Sequence, residues 1–438
     1  MAQPPAWKRL ASTTTSTFTA KTASSKAHLH KAIPDELFPR GYVLGGVHSG
    51  VKKDASLLDL AALLSTSSRP TSAAACFTRN AFQAAPVTVS KDVLRQTSGR
   101  ARALVVNSGG ANAVTGRQGL ADALAMSRAT DALLAPSSSS SSETLVMSTG
   151  VIGQPLPISK ILTALRPHGP LARTLGHGFT AWEAAARAFM TTDTFPKLRA
   201  RLLPLGDGRT YRIAGIDKGA GMIHPDMVGS HSPAAAPAPA PHATLLGCIA
   251  TDAPVTPTAL QAALDYAVQR SFNAISVDGD MSTNDTVVLF ANGAGEGEGR
   301  ESSAARGEIE IDEARDPGAF LRFRDGLTDF MQELAQLVVR DGEGATKFVT
   351  ISVEVRRGGI FPQAGFYFIS YWLIDMADMT IWFVIISVLC VLLGCSVVRR
   401  CTQDRVENLD VRTRQDGAVW RRRQVWGFPP SLYCSGLD

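Results

Sequence analysis

Cysteine is scarce in this sequence, and that scarcity excludes two classes of protein. The 438 residues include six cysteines, too few for the disulfide framework of a small secreted domain. No pair has the CxxC spacing of a structural zinc site, and we predict no bound metal. Strong net charge is also lacking, since 44 basic and 39 acidic residues give a formal charge of +5. That small excess is not the basic surface of a protein that binds nucleic acid.

Acidic residues are absent from the first 34 positions, where serines and threonines are frequent. The basic residues of this segment are Lys8, Arg9, Lys21, Lys26 and Lys31. A basic, acid-free segment without an apolar run is typical of a mitochondrial transit peptide rather than of a secretory signal. We therefore predict a targeting segment over residues 1–34 and a location in the mitochondrial matrix. A plain disordered N-terminus is the alternative.

Long apolar runs are also missing, with one exception near the C-terminus. Residues 381–398 are uncharged and mainly apolar, and Arg399 and Arg400 follow them; this length is the lower limit for a transmembrane helix. No lysine occurs after Lys347. Because the composition changes sharply after Arg357, we hypothesise that residues 358–438 derive from a misread exon, a retained intron or a frame change. A genuine membrane anchor is the alternative.

Between Pro39 and Arg357 the composition is globular, and hydrophobic residues make up 45% of the chain, enough for a large core. The apolar patterns predict strands at 103–107, 144–147, 211–216, 245–250 and 349–355, and helices at 120–134, 181–190, 260–268 and 320–337. Their order has no strict βαβ rhythm, so we predict an α/β (α+β) layered sandwich. Residues 228–242, rich in proline and alanine, are predicted to form an exposed loop.

A threonine at the start of one predicted strand has the local sequence of a self-processing nucleophile. Thr244 follows a small residue, Ala243, and the loop 228–242. Its hydroxyl group can attack the preceding carbonyl group and pass through an ester to break the Ala243–Thr244 bond. The new α-amine, with an ordinary pKa of roughly 7.7–8.0, can then act as general base for that hydroxyl. Many Ala-Thr pairs precede strands, so this pattern alone is weak.

A series of short motifs strengthens this interpretation, because the motifs occur in a fixed order between residues 39 and 357. They are Gly46–Lys53, Phe77–Asn80, Asn107–Gly116, Ser148–Gly153, Thr191–Lys197, Lys218–Pro225, Asp278–Thr286 and Asp341–Lys347. In this combination the chain resembles the ornithine acetyltransferase family, the bifunctional glutamate N-acetyltransferases and amino-acid acetyltransferases of arginine biosynthesis.

The resemblance implies a ping-pong reaction that moves an acetyl group from N-acetylornithine to glutamate through Thr244, giving ornithine and N-acetylglutamate. It also implies acetyl-CoA as a second acetyl donor and no bound cofactor. Cleavage at Ala243–Thr244 would give an α chain, residues 35–243, and a β chain, residues 244–357. The two chains would remain together as a heterodimer within a higher oligomer. The implied fold is shared with self-processing N-terminal-nucleophile aminopeptidases.

The family motifs also imply roles for individual residues. Thr149 and Gly150 match the oxyanion hole, where a hydroxyl and a backbone N–H group meet the developing alkoxide. Thr191, Lys218 and Glu343, together with Thr244, match substrate contacts. From the charges of amino-acid substrates we infer that Lys218 pairs with the α-carboxylate and Glu343 with the ornithine ammonium group. The reverse pairing stays open.

Three further residues invite functional roles that we do not favour. His224 stands beside Pro225 and is interpreted as a structural turn residue. Asp280 and Asp285 lie in a motif with Gly279, but their spacing is not that of a calcium loop. We predict that these carboxylates cap the loop instead.

Two departures from the family pattern leave alternatives open. Residues 228–242 interrupt the approach to Thr244, and this insertion either relaxes the strain that drives cleavage or loops out harmlessly. Nothing after Arg357 resembles the family's C-terminal part, so the β chain is incomplete. The alternative functions are a self-processing aminopeptidase or amidase, in which water accepts the acyl group, and an inactive membrane-anchored relative.

Overall fold

The computed structural model describes residues 26–136, 141–206, 208–230, 244–295, 310–345, 348–354, 367–371, 410–415 and 418–422. The strands are β1 (Tyr42–Val47), β2 (Leu60–Ser65), β3 (Ser72–Thr78), β4 (Ala103–Asn107), β5 (Thr144–Ser148), β6 (Lys197–Gly206), β7 (Arg209–Lys218), β8 (Met227–Gly229), β9 (Leu246–Thr251), β10 (Ile275–Ser276), β11 (Thr286–Ala291), β12 (Val349–Glu354), β13 (Tyr367–Tyr371), β14 (Asp410–Gln415) and β15 (Ala418–Arg422). The α-helices are α1 (Ala85–Gln96), α2 (Gly116–Asp131), α3 (Ile158–Ala164), α4 (Gly178–Phe189), α5 (Pro257–Val268) and α6 (Pro317–Arg340).

Four strands form one sheet in the order β1-β2-β4-β5. The β1, β2 and β4 strands are antiparallel neighbours, whereas β4 and β5 run parallel, with Asn107 opposite Ser148. The continuous apolar sequences of β2 and β4 are buried along their whole length, as expected of strands covered on both faces. Since β4 and β5 end at the same edge, the turns that follow them lie side by side.

A six-stranded sheet has the order β6-β7-β9-β11-β3-β8 and holds the strand after Thr244 near its centre. The β9 strand pairs antiparallel with β7 and parallel with β11. The end of β7 therefore lies beside the starts of β9 and β11. At the sheet edge, β8 pairs with β3 and includes Val228 and Gly229. The predicted loop 228–242 thus begins later than the sequence indicated, because pairing with β3 extends the sheet to Gly229.

Helices cover the two sheets in layers. Helix α4 contacts strands of both sheets, and its Trp182 and Phe189 join the core between them. Helices α5 and α6 pack with the other face of the six-stranded sheet in a second core. The apolar residues predicted to face the core from α6 are all buried there, namely Phe320, Phe323, Leu327, Phe330, Leu334 and Leu337. The predicted α/β layered sandwich is confirmed.

Helices α5 and α6 begin where the local sequence favours a helix start. The Thr256 hydroxyl oxygen accepts a hydrogen bond from the Ala259 amide (3.3 Å), and the Asp316 carboxylate accepts one from the Ala319 amide (3.0 Å). Each cap satisfies an N–H group that the first helical turn leaves without a partner. A proline follows each cap, where its fixed φ suits the helix and its missing N–H group costs nothing.

Segments on both sides of the Arg357 boundary pair with each other in a third sheet. Strand β12, predicted at 349–355, lies between β13 and β14. Within the described ranges, no helix is long and apolar enough to cross a membrane, and the apolar run 381–398 lies outside them. Residues 26–34 of the predicted targeting segment are described, and Lys26 Nζ donates to the Gly342 carbonyl (3.1 Å). Residues 1–25 lie outside.

Candidate active site

Thr244 lies immediately before β9, and only 2% of its surface is exposed. Its Oγ1 atom is 2.8 Å from Oγ of Ser282, which belongs to the loop before β11. Ala243, the other half of the predicted scissile bond, lies outside the described residues. The structure therefore places the predicted nucleophile in the interior, where β9 and β11 begin side by side.

The carboxylate of Asp285 holds the backbone beside each of these two hydroxyl groups. It accepts hydrogen bonds from the backbone amides of Leu245 (2.9 Å) and Ser282 (3.0 Å). Burial raises the pKa of Asp285 to about 7, although both amide donors oppose that shift. Within the described part of the chain, no group of three or more metal-binding side chains occurs. The hydrogen bonds that Asp285 accepts from the two backbone amides make it a cap of this loop, as predicted.

The turn after β5 contains Thr149 and Gly150, the residues predicted to form an oxyanion hole. Thr149 is buried, and its amide donates to the Asn107 carbonyl (3.0 Å). Gly150 has φ +121°, and a Cβ atom there would lie 2.6 Å from the carbonyl carbon of Gly109. Both the backbone conformation and the close approach of the neighbouring turn therefore require glycine.

Asn284 joins this turn to the Thr244 region, a role that sequence reasoning missed. Its side-chain amide nitrogen donates to the carbonyl oxygens of Ser148 (2.9 Å) and Ala111 (2.7 Å). Asn284 is buried two residues after Ser282. One side chain thus joins the ends of both sheets, and it brings the Thr149–Gly150 turn to the same region as Thr244.

Lys218 ends β7 and reaches the same region from the other side. It lies opposite Leu246 in the antiparallel ladder, is buried, and donates from Nζ to Oγ1 of Thr149 (2.9 Å). Burial lowers the pKa of Lys218 to about 8, because the charged form loses solvation and nearby carboxylates only partly compensate. This lysine is therefore part of the site rather than a solvated surface charge.

Thr191 and Glu343 border the loop that follows Lys218. The Asp193 carboxylate accepts hydrogen bonds from the amides of Thr191 (2.9 Å) and Gly219 (2.9 Å), which joins these two segments. The amide of Glu343 donates to the Ala220 carbonyl (2.6 Å), and the Glu343 side chain is exposed. The structure therefore gathers Thr149, Gly150, Thr191, Lys218, Thr244 and Glu343 around one region.

Beneath this region lies a buried ion cluster that the sequence did not reveal. Lys197 Nζ is 2.5 Å from Oδ1 of Asp193 and 2.6 Å from Oδ2 of Asp341. Burial alone would raise the pKa of Asp193, but the ammonium groups of Lys197 and Lys218 outweigh it and hold that pKa well below its usual range. Lys197 and Asp341 belong to two of the recognised motifs, and this membership was the one sign in the sequence that they could have a shared role.

His224 and Asp280 lie outside this network. His224 is exposed, and its Nδ1 atom is 3.1 Å from Oγ of Ser276. The carboxylate of Asp278 caps the chain at Met222 and at Ile223 with bonds of 2.6 and 2.8 Å. The structure thus agrees with a structural role for His224, and it shows that Asp278, rather than Asp280, supplies the second loop cap.

The Gly150→Ala substitution is expected to lower kcat for acetyl transfer by about 100-fold or more, the cost of losing one oxyanion-hole donor. The added methyl group would displace the turn from Gly109 and move the Gly150 N–H group. Gly153→Ala is a matched control, since its φ is +75° but nothing lies within 4 Å of the added Cβ. That variant should show only about 1–2 kcal/mol of backbone strain. Equal kcat values for the two variants would contradict this placement of the oxyanion hole.

Comparison with known proteins gives one consistent result. A profile of the ArgJ family matches residues 43–358. The arginine biosynthesis bifunctional protein ArgJ, mitochondrial, of Postia placenta is 61% identical over 353 residues, which is 80% of this chain and 72% of that protein. The protein of the same name from Laccaria bicolor is 61% identical over 340 residues, or 77% of this chain and 69% of that protein.

Among solved structures, the ornithine acetyltransferase complexed with ornithine from Mycobacterium tuberculosis is 33% identical to this chain. The alignment covers 44% of this chain and 96% of that one, with a TM-score of 0.37. The family match ends at residue 358, beside the predicted boundary at Arg357. Because the family profile covers more than half of the chain and fungal mitochondrial ArgJ proteins are 61% identical to it, the chain belongs to the ArgJ family of arginine biosynthesis.

Proposed function

We propose that this enzyme transfers an acetyl group from N-acetylornithine to glutamate through an acetyl ester on Thr244, in the mitochondrial matrix. One observation carries the proposal: the Thr244 hydroxyl is buried in a region that also contains the Thr149–Gly150 turn, tied to it by Asn284. A nucleophile and oxyanion donors held by the same network are what acyl transfer requires. Acetyl-CoA is proposed as a second acetyl donor.

Self-cleavage at Ala243–Thr244 is the step that would generate the catalytic amine. The six-stranded sheet supports this proposal, because two adjacent strands of the β chain lie between strands of the α chain. Strands β9 and β11 would belong to the β chain. The β9 strand pairs with β7 of the α chain, and β11 pairs with β3 of the α chain. Backbone hydrogen bonds across both borders would hold the cut chains together as a heterodimer.

The contacts of Lys218 indicate how the oxyanion hole would work. A threonine hydroxyl has one donor and two acceptor positions, and Lys218 Nζ already donates to Thr149 Oγ1. The proton of Thr149 is then free to point at the developing oxyanion, together with the Gly150 N–H group. Lys218 thereby acts as a positioning residue, and its other N–H groups remain for the substrate α-carboxylate.

Glu343 and Thr191 would complete the substrate site. The Glu343 carboxylate lies against the loop after Lys218, since a Cβ atom on Gly221 would be 2.9 Å from its Oε1 atom. We assign it to the ornithine ammonium group, opposite the carboxylate bound by Lys218. Thr191, held by Asp193, borders the same loop and would contact the substrate.

The identity of the acyl acceptor tests this function against the aminopeptidase or amidase alternative. The enzyme is incubated with N-acetylornithine labelled in the acetyl group, with and without glutamate. We expect labelled N-acetylglutamate when glutamate is present and little release of acetate without it. Rapid release of acetate in both reactions would show that water is the acceptor and would overturn the transferase assignment.

The Lys218→Met substitution is expected to lower kcat about 100-fold, because Thr149 loses the partner that orients its hydroxyl. Since the native pKa of Lys218 is about 8, the protonated donor is lost as the pH rises above that value. The wild-type rate should therefore decline on the alkaline side, and the variant should lack that decline. The measurement is the pH dependence of kcat and of kcat/KM.

Lys91→Met is the control for this variant, because Lys91 is a half-buried lysine that contacts Gln83 and the Phe77 ring and lies apart from Thr149. We expect its pH profile to match the wild type. An increase in KM alone for Lys218→Met would instead limit Lys218 to holding the substrate carboxylate.

A further inference from the structure

The hydroxyl group nearest to the nucleophile belongs to Ser282, a residue with no role in the mechanism described so far. Its Oγ atom is 2.8 Å from Thr244 Oγ1, and both side chains are buried. The backbone amide of Asn284 donates a hydrogen bond to the same Ser282 Oγ atom (3.0 Å). A serine hydroxyl has two acceptor positions and one donor. If Thr244 is the second donor to it, the Ser282 proton is left free to be passed on.

Self-cleavage presents a problem that acetyl transfer does not. Until the Ala243–Thr244 bond breaks, the Thr244 nitrogen belongs to a peptide group, and resonance makes its lone pair unavailable as a base. The neighbouring titratable groups are already engaged. Lys218 Nζ donates to Thr149, and the Asp285 carboxylate accepts the amides of Leu245 and Ser282. The polar atom in direct contact with the Thr244 hydroxyl is Ser282 Oγ, and its position suits it to take the Thr244 proton during processing.

We propose that Ser282 relays this proton and is a catalytic residue of the self-cleavage step; the inference rests on the proposed function of Thr244. As Thr244 Oγ1 bonds to the carbonyl carbon of residue 243, its proton passes to Ser282 Oγ. The Ser282 proton moves to the Thr244 nitrogen as the C–N bond breaks. Ser282 is regenerated, and one water molecule then hydrolyses the ester to a carboxylate and the free Thr244 hydroxyl.

The surroundings of Ser282 suit a relay that must be in place before the reaction begins. Thr78 Oγ1 donates to the Ser282 carbonyl (2.7 Å), and the Ala84 amide donates to the Thr283 carbonyl (3.0 Å). With Asp285 holding the Ser282 amide, the loop is fixed from three sides. Positioning of this kind lowers the entropic cost of a proton transfer between two hydroxyl groups.

The experiment follows maturation of the full chain after pulse-labelled cell-free synthesis, as the rate at which two fragments replace the intact band. Ser282→Ala should mature about 100-fold more slowly than the wild type, the usual size of a general acid–base contribution. Ser282→Thr keeps the hydroxyl and should restore most of the rate. Ser271→Ala removes another buried serine hydroxyl, one that bonds the Ala267 carbonyl, and should mature at the wild-type rate.

Two outcomes would overturn the relay: maturation of Ser282→Ala at the wild-type rate, or equal slowing of the alanine and threonine variants. A measurement on the wild type does not depend on how the variants fold. If two protons move in the same step, the maturation rate should depend on the deuterium content of the solvent along a curve. A linear dependence would contradict the relay. Maturation of Thr244→Ala would instead refute the proposed function itself, so the two failures can be told apart.

Discussion

Thr244→Ala is expected to leave a chain that never splits and to lower acetyl transfer by about 10⁶-fold, the effect of removing the nucleophile from a covalent mechanism. The alanine has neither the hydroxyl that attacks residue 243 nor the group that carries the acetyl ester. A denaturing gel should show only uncut chain, and labelled N-acetylornithine should leave no acetyl group on the protein.

Thr244→Ser is the matched control, because it keeps a hydroxyl group at the position that is 2.8 Å from Ser282 Oγ in the wild type. It should still split and should retain measurable transfer. Sequencing of the active wild-type enzyme should find a new chain start at Thr244, followed by Leu245 and Leu246. Transfer activity in Thr244→Ala, or an active enzyme that lacks this new start, would refute the mechanism.

Lys197→Met is expected to give the largest loss of stability, about 3–5 kcal/mol, because it leaves two buried carboxylates without their partner. Lys197 contacts both Asp193 and Asp341, and all three side chains are almost completely buried. Burial raises the pKa of the nearby Asp217 well above its usual range, but a carboxyl group cannot supply the positive charge that Lys197 provides. The free energy of unfolding is measured by urea denaturation at neutral pH.

The matched control for this variant is Arg95→Met, which breaks an exposed ion pair with Asp92 and should cost less than about 1 kcal/mol. The pH dependence gives a second test. A native pKa of Asp193 below its unfolded value of roughly 3.9 stabilises the fold above that pH, and this stability is lost as the pH falls further. Lys197→Met should show a smaller acid-dependent loss, because Lys218 remains near Asp193. Equal costs for the two variants would show that the buried cluster does not stabilise the fold.

Several elements of the fold could be predicted because their signals are local. The strand predicted at 103–107 coincides with β4, since a short apolar run there ends at a glycine turn. The helix predicted at 320–337 lies within α6, and its 3.6-residue apolar pattern faces the second core. The predicted start of the 228–242 loop was wrong, because Val228 and Gly229 belong to β8, and the pairing of β8 depends on β3, a strand distant in the sequence.

Motif recognition supplied the candidate site residues, but it could not supply their contacts. Lys218 was predicted as a substrate contact, whereas the structure shows that it also donates to Thr149, 69 positions away. The clamp formed by Asn284 spans 136 positions to Ser148. No periodic pattern in the sequence predicts either contact, because each depends on separate strands that end at a common edge of the sheets.

The amino-acid sequence by itself determined the family, the α/β class and the residue types available for acyl transfer. Short apolar patterns and ordered motifs are local features, so they can be recognised from neighbouring residues alone. Only the tertiary structure decided which of these groups meet. Burial moved the pKa values of Lys218 and Asp285 towards neutral pH, and the parallel starts of β9 and β11 placed Ser282 beside Thr244. These effects depend on distances between residues far apart in the sequence and on desolvation in the folded interior. Neither quantity can be obtained from the order of residues alone.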